Sequence, residues 1–578
     1  MKAVEPALDY ELRLVATAAA TGYFGAVPRP EPGDAIALEY VRVHPNDDFM
    51  RRHLLRRIQG WADQRLREAI AAAAKNDPFL LALLWEAALF RSCSRSWVVP
   101  LPADALPGLS AHTPLVYIRS HLLEDRPVHE RWAALFRSNI LEHRPLPTPE
   151  ELDLAAPCSL RDAQAFLEPH LTLKVLFERS KRDSDRTDPF EMSAEQVHTL
   201  ALERLRQAGV VLGGEMRHTA SLSPIGLLRT WTMKSSVRLG RHDFTLSGEL
   251  TAYGRGFDLD AARAACAMEI VERCSAFGSF DARGAVGFRR EHRLVRGRLS
   301  ELQKEGLTLL DPNALALEAP YRDEPLYWID AEERTAAGVR PILVPAQCVF
   351  LFCNLDEIKL FSALGSTGLG AGVSPEGARL SALIEVVERD CEGTTPFIPA
   401  LCFEIETRDE RMNALLESYR ANGIHVQFQD LTPPFGLPCC KCFVTGPDGQ
   451  VAKGTGAHLS ARRALMSALT ETPYPFPAGP PSRPPMEGLT RVPVEALPDY
   501  SRGVAAQDLQ LVEKLLLANG FRVIYADLTR TDLGLPVVRA IVPGMEILAD
   551  FDRFSRIHPR LYANYRKSTG GASSQGQG

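Results

Sequence analysis

Gly365 to Asp390 reads GSTGLGAGVSPEGARLSALIEVVERD. Its first half is a glycine-rich loop, with Gly368, Gly370 and Gly372 at alternate positions. Glycine lets a backbone turn sharply or come close to a ligand. Ser374-Pro375-Glu376 then spells a helix start: a hydroxyl cap, proline at the first helical position and an acid in the first turn. The helix that follows carries Glu385, Glu388 and Arg389. Residues three apart share a helix face, so the two carboxylates lie side by side; Arg389, four residues after Glu385, has the spacing of an intrahelical ion pair. Leu380, Leu383, Ile384, Val386 and Val387 surround them, which predicts a largely buried helix. Buried carboxylates are costly unless paired or bound to a metal.

An earlier stretch repeats the pattern. Gly254-Arg255-Gly256 precedes RAACAMEIVERCS, which carries Glu269, Glu272 and Arg273. Aligned on the glutamates, RAACAMEIVERC and RLSALIEVVERD share Arg, Glu, Val, Glu and Arg in register, 116 residues apart. Two such helices place four acids around one cavity, where they repel unless divalent cations relieve them. Mg2+ is held by a few carboxylates plus substrate phosphates, so ATP is its natural companion.

The 578 residues are enough for two to four domains and a sizeable core. Apolar residues make up 45% and charged ones 24%, an ordinary globular composition. A net charge of −6 gives no reason to expect nucleic acid as a partner. MKAVEPALDYELRL has no apolar signal region, and the best membrane candidate, Phe79 to Phe90, is short and contains Glu86. No membrane association is expected, and the eleven cysteines read as reduced and cytoplasmic.

Residues 1 to about 45 are mixed and rich in proline, and a helical pattern follows from Asp48 to about Phe90. Arg51, Arg52, Arg56 and Arg57 form a basic cluster, a solvated helix face or a docking surface for an acidic partner. Leu115–Ile118 is a short strand candidate. KRDSDRTD, from Lys181, is a charged joint; beyond it Ser193 caps a helix closed by Gly209. PILVPAQCVFLF reads as a strand leading to the central loop. A second repeat lies further on. LLESYRANGIHVQFQDLTPPFGLPCCKCFV and LVEKLLLANGFRVIYADLTRTDLGLPVVRAIV are each a helix, an Asn-Gly cap, a strand, a turn and a strand. Between the copies, GTGAHLSARRALMSALTE is another glycine loop feeding a helix, with Ser460 at its cap and Glu471 near its end. PYPFPAGPPSRPP, from Pro473, is a stiff extended linker.

A single ExxE on a helix is usually structural; the duplicated, glycine-preceded version argues for a ligand site. Cys439, Cys440 and Cys442 lie on an expected strand and read as core. His458, after two glycines, either makes a local turn hydrogen bond or faces a ligand.

These stretches resemble successive signatures of the YcaO family: ARAACAMEIVERCS, STGLGAG with ARLSALIEVVERD, GTGAH with ALTE, and DLTRTDLGLPVVRAIVPGME. The resemblance covers about residues 190 to 560. It implies ATP and Mg2+ held by glutamates rather than a P-loop. It also implies activation of a backbone amide of a ribosomally made peptide, giving an azoline, thioamide or amidine. On it, Glu269, Glu272, Glu385 and Glu388 are metal ligands, and with Arg273, Ser366, Arg389, His458 and Glu471 they line the nucleotide site. A precursor peptide, a possible partner protein and a homodimer come with the resemblance. Five positions depart from the family's habit: Val197, Val373, Gly377 (with Glu376 adjacent), Ser467 and Tyr474. They leave open a scaffold that binds peptide without catalysis.

The expected fold is α+β: internally duplicated helix and mixed-sheet units at residues 186–562, a mainly helical accessory domain at 1–185 and a disordered tail at 563–578.

Overall fold

Mixed helices and sheets build the chain, the fold class expected. The computed structural model describes residues 8–15, 23–91, 105–159, 161, 169–180, 192–547 and 551–570. The charged joint from Lys181 lies outside the described residues.

The first sheet contains β1 (Leu8–Val15), β2 (Tyr23–Arg29), β3 (Leu212–Arg217), β4 (Ile225–Leu239), β5 (His242–Gly256), β6 (Ser279–Asp281) and β7 (Gly284–Val286). Its order is β2-β1-β5-β4-β6-β7, with β3 paired to β4. The second sheet contains β8 (Val295–Gly297), β9 (Leu326–Thr335), β10 (Gly338–Pro345), β11 (Leu369–Ala371), β17 (Val523–Asp527) and β18 (Val537–Ile541). Its order is β10-β9-β17-β18-β11, with β8 on β9. The third is β15-β14-β13-β12-β16, made of β12 (Cys402–Glu406), β13 (Gln427–Asp430), β14 (Cys439–Thr445), β15 (Val451–Ala457) and β16 (Thr490–Pro493).

The helices, in order, begin with α1 (Asp34–Val43), α2 (Asp48–Gln59), α3 (Asp63–Asn76), α4 (Pro78–Leu89), α5 (Ala105–Leu109), α6 (Tyr117–His121), α7 (Arg126–Glu142) and α8 (Leu173–Ser180). They continue with α9 (Ala194–Gln207), α10 (Leu259–Ala276), α11 (Leu299–Lys304), α12 (Pro375–Thr394), α13 (Glu410–Ala421), α14 (Ala461–Glu471), α15 (Ala505–Ala518) and α16 (Pro559–Gly570). α9 starts at the Ser193–Gln196 capping box, and Gly209 beyond its end has φ +72°.

The glycines that open the acid helices have a purpose the sequence did not disclose. Gly370 lies on a strand, not in a loop, and a Cβ there would stand 2.5 Å from Ala378 O and from Ala382 N. At Gly254 it would meet Ala262 O at 2.0 Å, and at Gly456 it would meet Ala464 O at 2.2 Å. Each glycine is a notch that lets a helix lie directly on the preceding strand. α10 lies on β5 and reaches β11; α12 lies on β11 and reaches β15; α14 lies on β15 and reaches β5. The three strand–helix units therefore close into a ring.

The second repeat is also present: α13 leads to β13 and β14, and α15 to β17 and β18. Gly423 and Gly520 follow the helices with φ +70° and +81°, the left-handed position that glycine fills without strain. The two copies enter different sheets.

The N-terminal region packs as part of the same body. β1 pairs in parallel with β5, Leu8 opposite Phe244, so its hairpin extends the first sheet. Most of the basic cluster is turned inward, and only Arg57 stands on a solvated face. Arg51 is buried against Glu86 at 2.7 Å, Arg52 bonds Tyr117 and Ser362 O, Arg56 bonds Ala26 O, and Arg57 pairs with Asp34. Leu115–Ile118 is not a strand: the run is buried as it enters α6, since a short apolar stretch specifies burial more than backbone form. The proline-rich segment is bound along its length. Phe476, Ser482 and Arg483 donate backbone N–H groups to Thr219 O, Gly423 O and Thr445 O. Residues 563–570 are helical rather than a disordered tail, because Tyr562 and Tyr565 pack on Trp132; residues 571–578 lie outside the described residues.

Candidate nucleotide site

Three acid helices point into the centre of the ring. Glu269, Glu385 and Glu471 each stand eleven residues after the caps of their helices, Asp258, Ser374 and Ser460. α10 and α12 continue, adding Glu272–Arg273 and Glu388–Arg389. α14 stops at Glu471 ahead of Pro473. Tyr474 and Pro475 occupy the places of the second glutamate and arginine, and the buried Tyr474 hydroxyl donates to Pro480 O at 2.8 Å.

Two carboxylates grip strand edges. Tyr253 N on β5 donates to Glu269 Oε2 at 2.7 Å, and Ala457 N on β15 donates to Glu388 Oε2 at 3.0 Å. Arginines stand between the acids. Arg273 lies 2.7 Å from Glu272 and 3.7 Å from Glu269. Arg389 lies 3.1 Å from Glu392, 3.8 Å from Glu388 and 4.0 Å from Glu385. Arg255 of β5 reaches Glu471 at 4.0 Å. Arg273 also interacts electrostatically with Glu385 and Arg389, which links the two duplicated helices.

The charges are unevenly compensated. Burial, then the facing Glu272, push Glu385 up to about 8, although Arg389 and Arg273 oppose this. Burial and then Glu471 drive Glu388 well above the ordinary carboxylate range. Glu392 is the opposite case: burial opposes ionisation, yet Lys453 and Arg389 hold it at about 2. Burial lowers Arg539 to about 10 despite Glu385 nearby. Facing carboxylates, Glu272 raising Glu385 and Glu471 raising Glu388, are the donor set a cation would relieve.

Seven of the expected site residues therefore meet: Glu269, Glu272, Arg273, Glu385, Glu388, Arg389 and Glu471. Ser366 lies in the turn entering β11, where its carbonyl accepts Leu369 N and the adjacent Gly365 O accepts Arg539 at 2.9 Å. His458 is engaged in a local turn, its Nδ1 accepting Ser460 N at 2.8 Å. Arg255, Glu392, Lys453 and Arg539 escaped the sequence. Glu392 alone had a signal, standing two helical turns after Glu385 on the same face.

As placed, the acids lean on arginines. Among the described residues, no group of three or more His, Cys, Asp or Glu is gathered closely enough to hold a metal ion. The residue types still fit a magnesium nucleotide: buried carboxylates short of positive charge for the cation, and guanidinium groups for the phosphates.

A family described as YcaO cyclodehydratase, ATP- and Mg2+-binding, matches residues 253–473 and 474–546, half of the sequence. The chain belongs to the YcaO family. ATP and Mg2+ are the cofactors of this YcaO domain, and the matched residues include all seven that meet at the ring. An uncharacterised protein of Methanothermobacter thermautotrophicus is 28% identical over 382 residues, 58% of this chain and 94% of its own length. Similar solved structures include the following two. A heterocyclase in complex with substrate and cofactor gives a TM-score of 0.47 at 17% identity, over 65% of this chain and 56% of its own. YcaO from Methanopyrus kandleri, bound with AMPPCP and Mg2+, gives 0.44 at 24% identity, over 61% and 91%. No described helix is long and apolar enough to cross a membrane.

Proposed function

We propose that this YcaO protein uses magnesium-bound ATP to activate a backbone amide of a ribosomally made peptide, giving a thioamide, azoline or amidine. The convergence of the duplicated glutamates and arginines on one ring supports it most directly. When bound, Mg-ATP supplies the phosphoryl group that turns the amide oxygen into a leaving group. Glu269, Glu272, Glu385 and Glu388 would hold the cation, and Arg273 and Arg389 would neutralise phosphate oxygens. Glu471 and Arg255 close the ring on the third side. A partner protein beside the peptide, and a homodimer, belong to the same proposal.

The test is peptide-dependent release of inorganic phosphate from Mg-ATP. The wild type should show it and Glu388→Gln should not. Release that ignores the peptide, or that persists in the variant, contradicts the proposal.

A second reading, a peptide-binding scaffold without catalysis, draws support from the rim. Val373 is 44% exposed two residues beyond β11, and Tyr474 faces the core where the first two units place a glutamate. The scaffold predicts peptide binding indifferent to ATP and to the glutamates.

A further inference from the structure

The two duplicated helices hold their arginines differently. Arg273 of α10 donates to a ring acid, Glu272, at 2.7 Å. Arg389, at the matching place on α12, does not. Its Nη1 donates to Glu392 at 3.1 Å, while Glu388 stands 3.8 Å and Glu385 4.0 Å away, beyond hydrogen-bond reach.

One residue makes the difference. Glu392 follows Glu385 by two helical turns and so shares the acid face of α12. The matching place on α10 is the buried Ala276, which offers Arg273 no third acid.

Glu392 is itself braced from the opposite side. Lys453 of β15 donates to its Oε1 at 2.9 Å and Arg389 to its Oε2, so each oxygen carries one cation. The Glu392 and Lys453 side chains are only 16% and 18% exposed. A largely buried carboxylate gripped at both oxygens has little freedom to turn. Further along the same strand, Ala457 N fixes Glu388 Oε2. β15 therefore holds both Glu388 and the partner of Arg389, and the gap between arginine and ring acid is set by a strand.

An arginine freed from Glu392 has ring acids close by. A movement of about 1 Å would bring it into hydrogen-bonding contact with Glu388. The resulting ion pair would occupy the oxygens that a magnesium ion needs.

We propose that Glu392 is a positioning residue for the nucleotide site: braced by Lys453, it holds Arg389 off Glu385 and Glu388 and keeps both open to the cation. The inference rests on Mg-ATP binding in the ring, as proposed above.

Calorimetric titration of the full chain with ATP, repeated as Mg2+ is raised beyond what ATP itself binds, tests it. Circular dichroism and urea midpoints report on folding. Glu392→Gln frees Arg389 and should raise the Mg2+ needed for half-maximal binding by about ten- to a hundredfold, the effect of one charge-assisted hydrogen bond. The double variant Glu392→Gln/Lys453→Met removes one charge of each sign and should raise it to the same extent. A folded Glu392→Gln protein with the wild-type Mg2+ requirement overturns the inference, even if its urea midpoint falls, and leaves the ATP site intact. A double variant that returns to the wild-type requirement also overturns it, since the count of charges alone would then matter. If Glu392→Gln does not fold, the double variant decides. A wild type that binds no ATP at any Mg2+ concentration overturns both this inference and the proposed function.

Discussion

The Glu388 carboxylate accepts the backbone N–H of Ala457 at 3.0 Å, tying the second acid helix to the edge of the third unit's strand. One oxygen is thereby fixed, and burial beside Glu471 leaves the group short of positive charge. Replacing this carboxylate by an amide keeps the contact's shape and removes the charge, which separates a structural role from a cation-binding one.

The glycine notches make a prediction about stability. Gly370→Ala and Gly456→Ala each force a methyl group against backbone atoms closer than any real contact. Neither helix nor strand can yield independently, so each variant should lose about 1–3 kcal/mol or more. Urea unfolding should show a lowered midpoint. Gly214→Ala, on β3 with open space around it, should change the midpoint little by comparison.

Arg51 and Arg57 belong to one basic run but have different fates. Arg51→Ala strands the fully buried Glu86 without its partner and should cost about 3–5 kcal/mol. Arg57, 40% exposed and paired with Asp34 at the surface, should cost less than about 1 kcal/mol when truncated. Denaturant titration of both variants measures the difference.

Much of the centre was legible because helix caps, glutamate spacing and repeats are local signals. Ser374, Ser193 and the Asn-Gly ends of α13 and α15 all function as their neighbours foretold. What stayed hidden depends on chain paths. Nothing near Arg51 in sequence announces Glu86, and nothing near Arg539 announces Glu385. Gly370 and Gly456 read as parts of glycine loops, since a glycine that admits a ligand and one that admits a helix look alike in sequence. The third acid helix was seen, but its closure onto β5 through Arg255 was not.

Acid should weaken the fold through buried histidines. Burial pulls His129 and His458 down to about 4 and His558 to about 3. Each is neutral in the folded chain at pH values where the unfolded chain, near 6.5, already takes a proton. Their contribution to stability is present above 6.5 and is lost as the pH falls through about 4. Between about pH 6.5 and 5, each should remove on the order of 2 kcal/mol. Glu385 and Glu388, raised by burial, act in the opposite sense over the same range, so the histidine effect is read as a difference: the urea midpoint of the wild type relative to His129→Gln should fall with acidity. A difference that stays flat contradicts the burial of that ring.

Chelation and one substitution test the account at its centre. Calorimetric titration of the purified chain with ATP should give saturable heat in the presence of Mg2+. That heat should disappear with excess chelator, and it should disappear in Glu388→Gln although the variant remains folded. A wild type that gives no heat with Mg-ATP, or a Glu388→Gln variant that binds it equally well, would contradict a nucleotide site built on the duplicated glutamates.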